Sequence, residues 1–198
     1  MISNLDEFTA ASVIQLIESI EPGCGDSLKV LMPMMSCLEV AKNKTLFHAG
    51  DENRHEYLLL NGLLRCFILD EKGTETTVAF HSAPCVVTPC IARTEYSRSL
   101  VSCEAIQTSR IVRFSENSLM DLMRKDENAS RWGNRVMQTE LVRRSKREWS
   151  LAAESGAQRL ERFEKEHPDV ASVVSAKIIA TYLGITPVTL SRLRHTGR

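Results

Sequence analysis

The segment that most constrains this chain lies near its C-terminus, where Gly184-Ile185-Thr186-Pro187 separates two short stretches with helical apolar spacing. Glycine commonly ends a helix in a left-handed conformation, and threonine followed by proline is typical of a helix start. On both sides the apolar residues recur so that two crossing helices would share a buried face; these residues are Ile178, Ile179, Tyr182, Leu183, Leu190 and Leu193. The sequence therefore predicts a helix-turn-helix over residues 175–194.

The second helix of this motif would expose a polar and basic surface. In a helix-turn-helix the second helix enters the major groove of DNA, where an arginine can donate two hydrogen bonds to a guanine edge. We expect Arg192 to read a base, Thr189 to bind a base or a phosphate, and Val188 to contact a thymine methyl group. The full set of expected DNA-binding residues is Lys177, Thr186, Pro187, Val188, Thr189, Ser191, Arg192 and Arg194.

Charge is divided unevenly along the chain, although the formal net charge is zero. Residues 143–198 carry 11 Lys and Arg against 6 Asp and Glu, and no acidic residue follows Val170. This asymmetry indicates a basic module attached to an acidic one, which suits a polyanionic partner. The alternative to DNA binding is that residues 175–194 form a solvated helical hairpin that closes a bundle. The predicted helix ends at Arg194, four residues before the end of the sequence, so we expect the helix alone to read bases.

The first two thirds of the chain predict two helices and then a β-rich domain. Helical spacing covers residues 5–20, and a second short helix is expected over residues 26–35. Short strands follow from residue 38 to residue 114, with hairpin-type turns at Asn61-Gly62 and at Asp70-Glu71-Lys72-Gly73. Many short strands at close spacing predict an antiparallel barrel or jelly roll.

A long charged helix is predicted over residues 128–153, after a capping region at Ser115-Glu116-Asn117-Ser118. Its apolar stripe is narrow and contains Trp132, Val136, Met137, Leu141, Val142 and Trp149. Such a stripe must pack against another surface, and periodicity does not distinguish two candidates. One is the same helix of a second copy in a dimer, and the other is the barrel of the same chain. A further helix over residues 157–165 is expected to end at His167-Pro168.

Bulk properties favour a soluble cytoplasmic protein. No apolar run approaches the roughly 20 residues needed to span a bilayer. The N-terminal residues include Asp6 and Glu7 and lack the basic-then-apolar pattern of a signal peptide. The six cysteines contain no Cys-x-x-Cys pair, so we expect small buried side chains rather than metal ligands or redox groups; they are Cys24, Cys37, Cys66, Cys85, Cys90 and Cys103.

Residues 179–194 closely resemble the helix-turn-helix of Crp/Fnr-type regulators, especially those of Bacteroidetes, and residues 159–168 are similar to the helix that precedes it there. Three upstream segments resemble the cyclic-nucleotide-binding-type β-roll: Phe47-x-x-Gly50-Asp51, Leu58-x-x-Asn61-Gly62-Leu63-Leu64-Arg65 and Leu69-Asp70-Glu71-Lys72-Gly73. The resemblance implies an α+β protein with a jelly-roll sensor domain (1–127), a dimerisation helix (128–153) and a helix-turn-helix domain (154–198).

The same resemblance implies a homodimeric transcriptional regulator rather than an enzyme. Its expected partners are palindromic double-stranded promoter DNA, its own copy, RNA polymerase and a small-molecule effector that is not identified; no membrane partner is expected. Family relatives usually have glutamate where Val188 stands, so their target sequence is not carried over to this chain.

Departures from the family pattern bear on the effector. Thr88-Pro89 stands where nucleotide-binding members have a Gly-Glu pair, and no glycine occurs between Gly73 and Gly133 to let a phosphate approach the backbone. Cyclic AMP is therefore not the expected ligand. The pair Arg98 and Ser99 is retained and forms the candidate effector pocket, with a solvated rim arginine as the alternative for Arg98. The isolated Cys24 and Cys37 make a poor framework for an iron–sulfur cluster, and the cofactor stays unknown.

Two other function classes remain open. A cupin-like metal-dependent enzyme on the jelly roll would draw its ligands from His48, His55, Glu56 and His81. It lacks the usual His-x-His pair and gives no account of the basic tail. A nucleotide-binding signalling module without regulated DNA binding is weakened by the missing glycines.

Overall fold

Two antiparallel sheets form a β-roll in the computed structural model, which describes residues 2–3, 5–88 and 96–196. One sheet has the order β1-β2-β9-β4-β7 and the other β3-β8-β5-β6. The strands are β1 Ile2–Ser3, β2 Ser36–Val40, β3 Thr45–Phe47, β4 His55–Asn61, β5 Leu63–Leu69, β6 Glu75–Ser82, β7 Cys85–Val87, β8 Ser102–Ala105 and β9 Ser109–Ser115. With eight helices added, the predicted α+β class with a jelly roll is confirmed for the described residues.

The two faces of strand β4 are buried against different partners. Leu59 faces the interior of the roll, where it packs with Leu64 and Ile111. The adjacent Leu58 points to the opposite face and packs with helix residues such as Ile17 and Trp132. Because successive side chains of a strand alternate between faces, a strand that is apolar throughout requires cover on both sides. The opposite sheet covers the first face, and the helices that flank the roll cover the second.

The helices are α1 Glu7–Ile20, α2 Gly25–Leu28, α3 Glu116–Met123, α4 Glu127–Ala153, α5 Gly156–Glu166, α6 Pro168–Val173, α7 Ala176–Leu183 and α8 Pro187–Thr196. The prediction of one helix over residues 26–35 was wrong in its details. The α-helix ends at Leu28, and a 3-10 helix continues over Lys29–Met34. Pro33 lies inside this second segment and has no N–H to donate to an α-helical ladder.

The turn at Asn61-Gly62 does not form the predicted hairpin. Strand β4 pairs with β7 and β9, whereas β5 pairs with β6 and β8, so the chain passes here from one sheet to the other. Gly62 has φ +103° and lies so close to Ser109 that a Cβ atom would come within 2.7 Å of the Ser109 Cα. Gly62 therefore allows a tight corner between the two sheets and does not belong to a two-residue hairpin turn. The turn at residues 70–73 does join the paired strands β5 and β6, as predicted.

The apolar stripe of helix α4 is buried only along its first part. Asp126 caps its N-terminus by accepting a hydrogen bond from the Ala129 N–H, and Trp132 is 1% exposed beneath it. Farther along, the apolar Leu141, Val142 and Trp149 are 52%, 47% and 59% exposed. The roll therefore covers only part of the apolar stripe that was predicted for this helix.

The C-terminal helices dock on the roll rather than standing apart from it. Phe80 of β6 lies 5.0 Å from the Tyr182 ring and 6.0 Å from the Phe163 ring, between ring centres. Leu63 and Ile106 of the roll belong to the same apolar cluster as Ile179 and Leu190. Among the described residues, none of the helices combines the length and apolar character needed to cross a bilayer.

Candidate nucleic-acid interface

The turn between α7 and α8 has the local structure that its residues predict. Gly184 adopts φ 65° and ψ 35°, and the Ile185 N–H donates to the Ala180 carbonyl at 3.0 Å, which closes α7 in a left-handed cap. Thr186 starts α8: its Oγ1 accepts a hydrogen bond from the Thr189 N–H at 3.0 Å, and Pro187 follows as the first helical residue. The predicted helix-turn-helix is confirmed in its elements and caps.

An apolar cluster fixes the angle between the two helices. Ile179, Leu183 and Leu190 are at most 2% exposed, and Ile185 in the turn packs against them. A Cβ atom on Gly156, the first residue of α5, would lie 2.9 Å from the Ile185 Cγ2. Close approach of α5 to the turn therefore depends on this glycine.

One face of α8 is exposed along its length. Val188, Ser191, Arg192 and His195 recur at helical spacing, all four are exposed, and Val188 is 61% exposed. A stripe with one apolar residue, a hydroxyl, a guanidinium and an imidazole has the size and hydrogen-bonding groups that read base edges in a major groove. Lys177 is exposed near the start of α7. His195 was not among the residues that sequence reasoning selected, although it lies seven positions after Val188 on the same face.

Other predicted site residues are engaged within the protein. The Thr189 hydroxyl is 2.9 Å from the Thr186 hydroxyl, and Thr189 is half-buried. Arg194 Nε donates to the Glu164 carboxylate of α5 at 3.0 Å. The structure therefore places Arg194 on the side of α8 that faces α5, away from the stripe that contains Arg192. Arg198 lies outside the described residues.

Arg147 of α4 joins the helix-turn-helix to the roll. Its Nη2 donates to the Tyr182 carbonyl at 2.6 Å and to the Thr77 carbonyl of β6 at 3.3 Å. The guanidinium also lies 4.0 Å from the centre of the Tyr182 ring. Burial lowers the pKa of Arg147. Beside Arg147, the Thr181 Oγ1 accepts a hydrogen bond from the Thr77 N–H at 3.2 Å. Hydrogen bonds that involve both side chains and backbone therefore join α7 to strand β6.

A cavity of about 400 Å³ lies between the roll and α4. Its roll side is largely apolar, and its helix side has Arg143, Arg144 and Arg147 together with Glu140, Glu148 and Leu151. Arg143 and Arg144 both donate to the Glu140 carboxylate, at 2.6–2.8 Å. Burial alone would raise the pKa of the Glu140 carboxyl, but these arginines outweigh it and hold the pKa below its ordinary value. The cavity thus has an ionised, arginine-rich wall.

The two residues predicted for an effector pocket lie at the end of the roll. Arg98 Nη1 donates to the Gly50 carbonyl at 2.7 Å, and Arg98 is exposed. Ser99 is 2% exposed, and its hydroxyl donates to the Val101 carbonyl at 2.7 Å. Neither side chain is part of the cavity wall, whereas Leu100 and Val101 are. Pro89 and Cys90 lie outside the described residues.

The residues of the alternative enzyme hypothesis are dispersed. His48 is exposed at the end of β3, Glu56 is buried in β4, and His81 lies in the other sheet. Within residues 5–88 and 96–196, no three His, Cys, Asp or Glu side chains are grouped in a way that could hold a metal ion.

Comparison with known sequences identifies a matching domain model and several similar proteins. The model of the cyclic nucleotide-binding domain matches residues 37–126, from β2 to the cap of α4. The fumarate nitrate reduction regulatory protein of Klebsiella oxytoca is 27% identical in an alignment that covers 78% of this chain and 65% of that protein. Its counterpart in Escherichia coli K12 is 26% identical over the same shares. The chain thus spans 65% of the length of these curated relatives.

Solved structures share the fold over most of the chain. FixK2 from Bradyrhizobium japonicum has a TM-score of 0.72 at 20% identity, covering 82% of this chain and 83% of its own. A structure described as a regulator of the Crp/Fnr family, from Eubacterium rectale, has a TM-score of 0.69 at 18% identity, covering 86% and 82%.

The chain therefore resembles Crp/Fnr-type regulators, and its residues 37–126 match a cyclic nucleotide-binding domain. The resemblance noted in the tail and in the β-roll landmarks is confirmed by these relatives. It departs from the pattern of these regulators in the segment around Thr88, where no glycine is present to open the backbone to a phosphate.

Proposed function

We propose that this chain is a homodimeric transcriptional regulator of the Crp/Fnr type that binds palindromic promoter DNA through α8. The observation that carries the proposal is the exposed stripe of Val188, Ser191, Arg192 and His195 on a helix held at a fixed angle by a capped turn. No acidic residue follows Asp169, so the stripe can approach phosphates without repulsion from its own helix. Lys177 and the N-terminus of α8 at Thr186 and Pro187 are the proposed backbone contacts.

The proposed dimer forms along the second part of α4. Val142 and Trp149 are exposed and lie seven residues apart, with the small Ser145 between them at 3-4 spacing. This is the spacing of a two-helix seam, and it begins where the barrel stops covering the helix. A second copy related by two-fold symmetry would bring two α8 helices to one face of the DNA. In this proposal residues 1–127 sense, residues 128–153 dimerise, and residues 154–198 bind DNA in the cytoplasm.

We further propose that the cavity between the roll and α4 receives the effector. Its apolar roll side and three arginines suit a small molecule with an apolar body and an acidic group. Arg147 is part of this wall and also holds Tyr182, so an effector there would act on the orientation of α7 and α8. Mass spectrometry of the protein as isolated would identify such a molecule if it is retained.

In vitro selection from a pool of random duplexes tests the proposal. We expect a two-fold symmetric site whose half-sites are centred about one helical turn apart, 10–10.5 base pairs, or a multiple of it. The logarithm of affinity should fall steeply against the logarithm of salt concentration, because each phosphate contact releases a counterion. Enrichment of no duplex, or only of sites without two-fold symmetry, would contradict the function.

A further inference from the structure

A cluster of three sulfur atoms and one imidazole lies beside the cavity and has no part in the proposed DNA contacts. Cys66 of β5 and Cys103 of β8 are directly opposite each other in adjacent antiparallel strands. His81 of β6 lies diagonally across from Cys66, two residues beyond its partner Ala79, and Cys85 follows on β7. Opposed side chains in such strands have Cβ atoms about 4.5–5.5 Å apart.

Cys66 is accessible from the cavity although the chain covers most of it. Its side chain is 6% exposed, and it forms part of the cavity wall together with His81 and Arg143. Cys103 is completely buried behind it. A cavity of about 400 Å³ admits small reagents, since a water molecule occupies only about 30 Å³. One thiol is therefore open to a small electrophile, and its neighbour is not.

The charges around Cys66 favour its ionised form. Hydrogen bonding by the Cys103 thiol holds the pKa of the Cys66 thiol well below its ordinary value against the effect of burial, and His81 and Arg143 act in the same direction. Burial alone would lower the pKa of His81, but its hydrogen bonds to the Cys66 and Cys85 sulfur atoms raise the pKa to about 10. Glu140 also faces His81 from α4. The surroundings of Cys66 therefore favour its thiolate form.

We propose that Cys66 is a reactive thiol that small hydroperoxides oxidise, with Cys103 as the thiol that closes a disulfide. The Cys66 sulfur attacks one peroxide oxygen: an S–O bond forms, the O–O bond breaks, and the departing alkoxide or hydroxide takes a proton from His81. Sulfur loses two electrons and the peroxide gains them. The Cys103 sulfur then attacks the sulfenic acid of Cys66, the S–S bond replaces the S–O bond, and water leaves with the proton of Cys103.

The backbone is already suited to this disulfide. Residues paired across antiparallel strands have Cα atoms about 4.5 or 5.5 Å apart, and both values lie within the 4.4–6.8 Å range of disulfides. This proposal does not depend on DNA binding. It differs from the sequence-based expectation that all cysteines are inert, because the strand pairing that joins residues 66 and 103 is not visible in the sequence.

Alkylation of the reduced full-length chain by iodoacetamide, followed by peptide mass spectrometry, tests the thiolate. We expect the Cys66 rate to be nearly constant from pH 6.5 to 8.5, whereas an ordinary thiol with a pKa near 8.5 gains about tenfold per pH unit below that value. His81→Gln should lower the Cys66 rate at pH 7 by about tenfold. The matched variant His48→Gln, at an exposed position outside the cluster, should leave the rate unchanged.

Treatment with hydrogen peroxide tests the second step. We expect a Cys66–Cys103 disulfide, and in Cys103→Ser a sulfenic acid at Cys66 that a cyclic 1,3-diketone traps. A Cys66 alkylation rate that rises with pH like that of an ordinary thiol, or oxidation confined to other cysteines, would overturn the proposal. If His81→Gln does not fold, the pH profile of the unaltered protein alone decides.

Discussion

Arg147 donates a 2.6 Å hydrogen bond to the main-chain carbonyl of Tyr182, and its guanidinium lies 4.0 Å from the centre of the Tyr182 ring. This single side chain belongs to the cavity wall and at the same time holds the first helix of the helix-turn-helix. The cavity wall and the helix-turn-helix thus share one residue. Any change at the cavity that moves Arg147 also removes a hydrogen bond from the last turn of α7.

We expect Arg147→Ala to loosen the helix-turn-helix on the roll. The variant loses a charge-assisted hydrogen bond and a cation–π contact, which together amount to about 2–3 kcal/mol in partly buried sites. Hydrogen exchange of the α7 amides should accelerate, and the melting temperature should fall. Arg144→Ala is the matched control, because Arg144 is bound to Glu140 and makes no contact with α7 in the described hydrogen bonds. Equal effects of both variants would contradict the linking role of Arg147.

Gly184→Ala should destabilise the turn. Gly184 has φ 65°, a conformation that costs an L-residue about 1–2 kcal/mol, and the new methyl group would lie 3.2 Å from Leu151. Gly73→Ala provides the same backbone strain at φ +76° in open space, in the turn between β5 and β6. Both variants should lose stability in chemical denaturation, but only Gly184→Ala should weaken DNA binding. Unchanged DNA affinity in Gly184→Ala would show that the angle of α8 does not depend on this cap.

Stability should depend on the protonation of His167. This residue ends α5 and precedes α6, and burial lowers its pKa below 6.5. Since the unfolded chain binds the proton more readily, the stabilisation is present above pH 6.5 and is lost as the pH falls through the pKa of the folded state. The melting temperature should therefore fall between pH 7 and pH 5, and less so in His167→Gln. Parallel curves for the two proteins would contradict the prediction.

Val142→Glu should dissociate the proposed dimer. A carboxylate on each copy would face the other in a helical seam, where like charges repel and lose hydration. Val30→Glu is the control, since Val30 is also an exposed valine, at 58%, but lies on the 3-10 helix. Sedimentation velocity at micromolar concentration should show a monomer for Val142→Glu and a dimer for Val30→Glu. A dimer in both would place the interface elsewhere.

Local features of this chain were predictable, and long-range ones were not. The caps at Ser115, Gly184 and Thr186 were read correctly because a cap depends on residues within one turn of the helix. The corner at Gly62 was misread as a hairpin because strand pairing depends on partners far along the chain, and Ser109 is one of them.

The candidate interface divides in the same way. Periodicity identified Val188, Ser191 and Arg192 as outward residues and could also have found His195. It could not find the ion pair between Arg194 and Glu164, which are 30 residues apart and brought together only by the packing of α5 on α8. Helix α6 was missed because Pro168 was interpreted only as the end of α5, although proline also fits the first position of a helix.

The most direct test of the account measures how Arg192→Ala changes binding to the selected duplex and to every single-base variant of it. We expect a loss of about 1–3 kcal/mol and relaxed preference at one base pair in each half-site. Arg194→Ala should keep the base preference, because its guanidinium is bound to Glu164. A uniform loss across all sequences in Arg192→Ala, or no loss, would contradict base reading by α8.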